Sequence, residues 1–197
     1  VSDLDSLADF LRGRLATAGL VDAALAAAAC ERVGRSAETG ERVAWAELVV
    51  EAEARQPSAA LRAAWRVQGR ALLRVARAAW PGPVLEALAE AVPEGAPHPL
   101  ALGACASAAG LGPGDAAVIV AHHAVVGPAS AAVRLLGLDP LAVAGVLARL
   151  ATDIDRVAGE AAAVAGGPVA ELATLSAPLL ELGAEDHAAW EVRLFAS

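Results

Sequence analysis

The side chains with which this chain could do chemistry are two cysteines, four histidines, 23 carboxylates and 15 basic residues, all of them arginine, spread over 197 residues. The adjacent His122 and His123 suggest a metal pair, but neighbouring residues on a helix point about 100° apart and cannot chelate one ion together. Cys30 and Cys105 each stand singly in alanine-rich stretches. That predicts buried free thiols in a reducing compartment rather than a thiolate activated beside a histidine. Asp153 and Asp155 fall on different sides of a predicted helix and read as a solvated face. The sequence contains no HExxH, no CxxC, no phosphate-binding glycine loop and no GxGxxG after a strand. These residues predict no catalytic group, no bound cofactor and no metal-ligand set.

Two arginine patterns remain. Arg134 is the single formal charge between Ala116 and Leu138, so its guanidinium is expected to be a buried structural clamp or a contact offered to a partner. A helical small-molecule-binding domain or enzyme, with Arg134 gripping an anion in a pocket against this stretch, is the alternative. Arg62, Arg66, Arg70, Arg74 and Arg77 recur every three or four residues along one side of a predicted helix. Like charges at that spacing repel by a few tenths of a kcal/mol per pair, on the order of the gain from an opposite pair. Something acidic should therefore face them, either carboxylates of neighbouring helices or an acidic partner.

The elements that must position these groups are helices. Strand formers are scarce outside valine, with no Tyr and two Phe, whereas Ala, Leu, Arg and Glu favour helix. The expectation is an all-α, single-domain, multi-helix bundle over residues 1–197. At its centre should lie an apolar helix pair, 115–126 and 129–136, split by Gly127-Pro128. A box at Ser2 to Asp5 should open a first helix closed by Gly19, and a second should run over 21–32 and end at Gly34. Thr39 should cap a third with Trp45, Leu48, Val49 and Ala52 inward. Ser58 should cap a long helix to about Trp80 with Leu61, Trp65, Leu72, Val75 and Ala79 inward. Short helices follow over 84–91 and 99–109. Asp139-Pro140 should start an amphipathic helix, with Val143, Val146, Leu147, Leu150, Ile154 and Val157 on one stripe, that reaches Gly166. A last segment over 184–195 aligns His187, Trp190 and Leu194.

Charge and hydropathy narrow the function. A net charge of -8 opposes nucleic-acid binding, which needs a basic face, and an anionic membrane surface. Mean hydropathy of +0.52 raises the possibility of a membrane span. Of the two uncharged runs long enough, 95–114 holds three prolines and five glycines, and 116–133 holds two histidines and Gly-Pro. Neither is expected to span. The excess apolar character predicts surfaces covered by partner proteins, in a chain that is cytoplasmic.

Several stretches in order resemble the UreF-type urease accessory protein family. Ser130-Ala131-Ala132-Val133-Arg134-Leu135 is similar to its SAAVRL signature. Arg62 with Gln68-Gly69-Arg70 and Leu72-Leu73 resembles its arginine followed by a glycine-containing helix. His98 and Gly103 fit its histidine-to-glycine helix start, and Ser176 to Leu180, Asp186-His187 and Arg193 to Ser197 resemble its ending. The family's ADS-x-LPTG-like opening is absent, so the sequence is expected to be cut at its N-terminus, and the RHE-like element reads Asp186-His187-Ala188.

The resemblance implies an all-helical, non-catalytic scaffold, often a homodimer. It would bridge a UreD/UreH-type accessory protein and the GTPase UreG, so that nickel, in transit and not a resident cofactor, reaches the urease apoprotein. It further implies that the terminal Arg193, Leu194, Phe195 and Ser197 bind the UreD/UreH-type partner; His187 and Trp190, just before them, are further candidate partner-binding residues. Ser130 and Arg134 would lie at a buried polar point near the dimer or GTPase face. Apart from the resemblance, Arg62, Arg66 and Arg70 of the arginine row are the candidates for a docking stripe toward an acidic partner.

Overall fold

A computed structural model describes residues 1–190, which among themselves form helices and no strand. Helix α1 (Leu4–Arg14) passes through a π-helical turn (Leu15–Gly19) directly into α2 (Leu20–Thr39). Then come α3 (Trp45–Ala54), α4 (Ala59–Ala79), α5 (Pro83–Ala91), α6 (His98–Ala108), α7 (Pro113–Leu136), α8 (Pro140–Arg149), α9 (Ala151–Ala163), a 3₁₀ turn (Val169–Glu171) and α10 (Pro178–Ala188).

The centre of the bundle is α2, not the 116–138 stretch. Ala23 to Ala29 are all inaccessible to solvent, and α6, α7 and α9 surround them. Alanine makes this possible, because small side chains let helix backbones approach closely. One such approach is at Gly103 of α6, where a Cβ would overlap the Ala26 carbonyl and press within 2.9 Å of the Ala29 Cβ. Helix α7 is one-sided instead. Ala117, Val120, Ala121, Ala124, Val125 and Ala129 are buried, while Val118, His122, His123, Leu135 and Leu136 are exposed. Alanine is nearly neutral in transfer, so an Ala/Val run does not reveal whether one face or all faces are covered.

Helix α7 also runs unbroken through Gly127-Pro128, contrary to the expected split. Proline at 128 removes the N–H that would bond the Ala124 carbonyl. That carbonyl is taken by Arg14, whose Nε donates to it at 3.0 Å. The π turn beside Arg14 packs on the same spot: a Cβ on Gly19 would meet the Ala124 Cβ at 3.2 Å. Gly19 is therefore a packing residue rather than a helix stop. Asp22, one turn on, is half-buried, and burial pushes its carboxyl from 3.8 up to about 7 while Arg14 pulls it down.

Other boundaries follow from side-chain caps. Asp3, one residue on from the expected Ser2, accepts from the Ser6 N–H at 2.8 Å, and the Ser6 hydroxyl accepts from the Asp3 N–H. Helix α2 continues past Gly34 to Thr39 and stops at Gly40, whose φ of +77° suits only glycine well. Thr39 thus ends one helix and does not cap the next. The Ser58 hydroxyl accepts from the Leu61 N–H and starts α4, as expected. Asp139 accepts from Leu141 and Ala142 and starts α8. The amphipathic stripe from Val143 to Val157 is buried as read, with Leu147 half-buried, but the helix carrying it turns at Leu150 into α9. The last helix, expected over 184–195, begins earlier, at Pro178, and α10 ends at Ala188.

Two helical runs, Leu4–Thr39 and Pro113–Leu136, have the length and apolar content to cross a membrane. In the bundle 67% and 44% of their most apolar windows are buried against other helices.

Candidate partner-binding surfaces

The arginine row lies on α4, and most of it is engaged inside the molecule. Arg62 donates to the Gln56 and Pro57 carbonyls, the latter at 2.9 Å. Arg66 pairs with Glu53, Arg70 donates to the Glu94 carbonyl, and Arg77 pairs with Glu86 through an Nε bond of 2.8 Å. Neighbouring carboxylates thus neutralise Arg66 and Arg77, while Arg62 and Arg70 sit on carbonyls and keep their charge. Arg74 has no partner among the described residues. The inward face is also shifted from the expected one. Ala64, Trp65, Gly69, Leu73 and Ala76 are buried, while Val75 and Ala79 are exposed. Gly69 decides this, because a Cβ there would overlap the Ala96 carbonyl and prevent the segment leading into α6 from closing on α4.

Helix α10 docks on the N-terminal end of α4. The Glu185 carboxylate accepts from the Ser58 hydroxyl at 2.6 Å and from the Ala60 N–H at 2.9 Å, and these two bonds hold its pKa below the usual range. A carboxylate at a helix N-terminus also meets the favourable end of the helix dipole. Within α10 only Ala184 is buried, while Leu179 (87%), Leu182 (67%) and, beyond the helix, Trp190 (57%) face solvent. His187 meets the edge of Trp190 with ring centroids 5.2 Å apart. Arg193, Leu194, Phe195 and Ser197 lie outside the described residues.

Ser130 and Arg134 are exposed, not at a buried polar point. They line an open groove of about 640 Å³ between α7 and α8, with Val133, Val143 and Leu147 as its apolar wall. The predicted partner residues therefore form two groups, one at the α4/α10 end and one in the α7/α8 groove.

The buried arginine clamp expected at 134 exists elsewhere. Arg55, with 4% of its side chain exposed, pairs with Glu51 and donates to the carbonyls of Val169, Ala170, Leu172 and Ala173. It holds the strap between α9 and α10. Arg32 does the same for the Ala165 and Gly167 carbonyls. The i, i+4 spacing of Glu51 and Arg55 is local, but nothing near either arginine in sequence marks it as a clamp, since the strap carbonyls it holds lie more than a hundred residues away.

The titratable groups are tuned by burial. Both thiols are free and buried, and burial pushes Cys30 and Cys105 up to about 11, so neither is a thiolate near neutral pH. His98, half-buried, is pushed down first by burial and then by His123; His123, exposed on its outer side, is pushed down first by the part of it that is covered and then by His122. The His122 and His123 rings stand 6.2 Å apart and tilted by 49°. Among the described residues no three His, Cys, Asp or Glu side chains converge as a metal cage would need.

The family model UreF matches residues 1–151. The chain belongs to the UreF family. It is 43% identical to the urease accessory protein UreF of Mycobacterium sp. strain JLS, over all of this chain and 84% of that protein. It is 41% identical over the same shares to the one from Mycolicibacterium vanbaalenii. With the one from Mycobacterium tuberculosis strain H37Rv the identity is 36%, over 95% of this chain and 79% of the relative. Membership in a family of urease accessory proteins makes the chain an accessory protein and not an enzyme.

Proposed function

We propose that this chain acts in the cytoplasm as the scaffold of urease metallocentre assembly. It bridges a UreD/UreH-type accessory protein and the GTPase UreG, works as a homodimer, and lets nickel pass to the urease apoprotein as cargo. The observation that carries the reading is the family match over residues 1–151, and beyond the matched region the last described helix offers Leu179 and Leu182 to solvent. Exposed leucines followed by Trp190 suit a hydrophobic anchor inserted into a partner. On this reading His187, Trp190 and residues 193–197 bind the UreD/UreH-type protein. Ser130 and Arg134, in their open groove, serve the dimer or GTPase contact.

The test is nickel loading of urease in cells that carry the urease structural and remaining accessory genes but lack this chain. Supplying the full chain is expected to restore nickel in the purified urease, and a chain ending at Trp190 is expected not to. Equal restoration by both would remove the terminus from the mechanism, and no restoration by either would remove the scaffold role.

A further inference from the structure

We infer that the outer face of α4 is a docking site for an acidic amphipathic helix of a partner protein, a surface distinct from α10 and its terminus. The face is built from Ala63, Val67, Ala71, Arg74, Val75 and Ala78, all exposed. At 100° per residue these positions, with Arg70, fall on the side of α4 opposite Trp65, Gly69 and Ala76. From Ala63 to Ala78 the strip is about 22 Å long at 1.5 Å per residue, four helical turns.

Its composition specifies the occupant. Alanine and valine make a shallow, smooth track on which a second helix can lie at the usual 8–10 Å interaxial distance, an approach that long side chains would block. One edge of the track is cationic. Arg70 rests on a carbonyl and keeps its charge, and Arg74 meets no carboxylate among the described residues. The molecule as a whole carries -8, so this face is basic against an acidic body; it attracts acidic partners, and its arginines repel the same strip of a second copy. Arg70 and Arg74 are spaced i, i+4, about 6 Å apart along the helix. They fit a partner helix bearing Glu or Asp at i, i+4 beside a stripe of Ala or Leu.

This deepens the scaffold reading by giving it a second contact face, but it is tested without any urease protein. The probe is a synthetic helix of about 18 residues, long enough to hold helical structure, with an Ala/Leu stripe and Glu at i, i+4 and i+8. It is titrated into the full, isotope-labelled chain while backbone amide resonances are followed. Shifts confined to residues 63–78 are expected, along with about tenfold weaker binding to Arg74→Glu and comparable weakening at about 1 M salt, where the screening length falls to about 3 Å. The same peptide with Gln for Glu is expected to bind about tenfold more weakly. Circular dichroism of the Arg74→Glu and Val67→Asp variants controls for folding, and both positions are exposed.

The inference is overturned if the peptide produces no shifts, or shifts elsewhere, or binds Arg74→Glu as well as the parent. It is also overturned if the free chain already shows concentration-dependent shifts at 63–78, because the occupant would then be a second copy. Failure of the scaffold reading would show separately, as a full chain that does not bind the UreD/UreH-type protein or that binds it equally well without residues 191–197.

Discussion

Replacing Asp22 by Asn should make the protein more stable, and by an amount that grows with pH. In the fold the carboxyl is raised from 3.8 to about 7, chiefly by burial. The native state therefore holds this proton more tightly than the unfolded chain. The advantage is fully present below about pH 4 and is lost as pH rises through about 7. At 1.36 kcal/mol per tenfold change in proton affinity, the ionised carboxylate costs the fold up to about 4 kcal/mol above neutrality. Asparagine keeps the shape and cannot ionise, so Asp22→Asn is expected to gain about 2 to 4 kcal/mol at pH 8 and no more than about 1 kcal/mol at about pH 4.5. Asp3, Glu86 and Glu185 are held below their usual values by Ser6, Arg77 and Ser58 respectively, and these groups destabilise the fold in acid. They are common to both proteins and cancel in the difference. Urea unfolding followed by far-ultraviolet circular dichroism across the range gives that difference directly. An unchanged difference between about pH 5 and pH 8 would refute the burial of the charge.

Three further outcomes follow from packing and buried hydrogen bonds. Gly69→Ala and Gly103→Ala should each lose about 3 kcal/mol or more in urea unfolding, because their Cβ atoms would meet backbone and not a movable side chain. Arg14→Ala should cost about 1 to 3 kcal/mol by orphaning the Ala124 carbonyl, and less in a Pro128→Ala background, where the restored N–H can take that acceptor. A double-mutant cycle showing no coupling would contradict this account of the unbroken α7. Arg55→Ala should raise hydrogen exchange and proteolysis in residues 165–177 before the rest of the chain opens, since the carbonyls of that strap lose their shared donor.

What could be read from the sequence was whatever is decided within a few residues. The Ser58 cap, the Asp139-Pro140 start and the stripe from Val143 to Val157 all depend on near neighbours, and they stand where expected. Where long-range contacts decide, the sequence was silent. Gly127-Pro128 does not break α7 because Arg14 reaches Ala124 from 110 residues away. Alanine does not distinguish the covered α2 from the one-sided α7. The true inward face of α4 was hidden because it is set by Gly69, a residue with no side chain to count as apolar. The candidate site shows the same division. The arginine row was legible as a pattern. That Arg62 and Arg70 would rest on carbonyls, Arg66 and Arg77 on carboxylates, and Arg74 on neither depends on how α3, α5 and the loop before α6 pack.

The central claim, that this chain holds two other proteins at once, is tested most directly by light scattering on a size-exclusion column with the purified full chain, a UreD/UreH-type protein and UreG loaded with nucleotide. The account predicts a single species whose mass contains all three, reduced to a complex without the UreD/UreH-type protein when residues 191–197 are removed. Elution of the full chain free of both proteins, or with either one only when the other is absent, would contradict it.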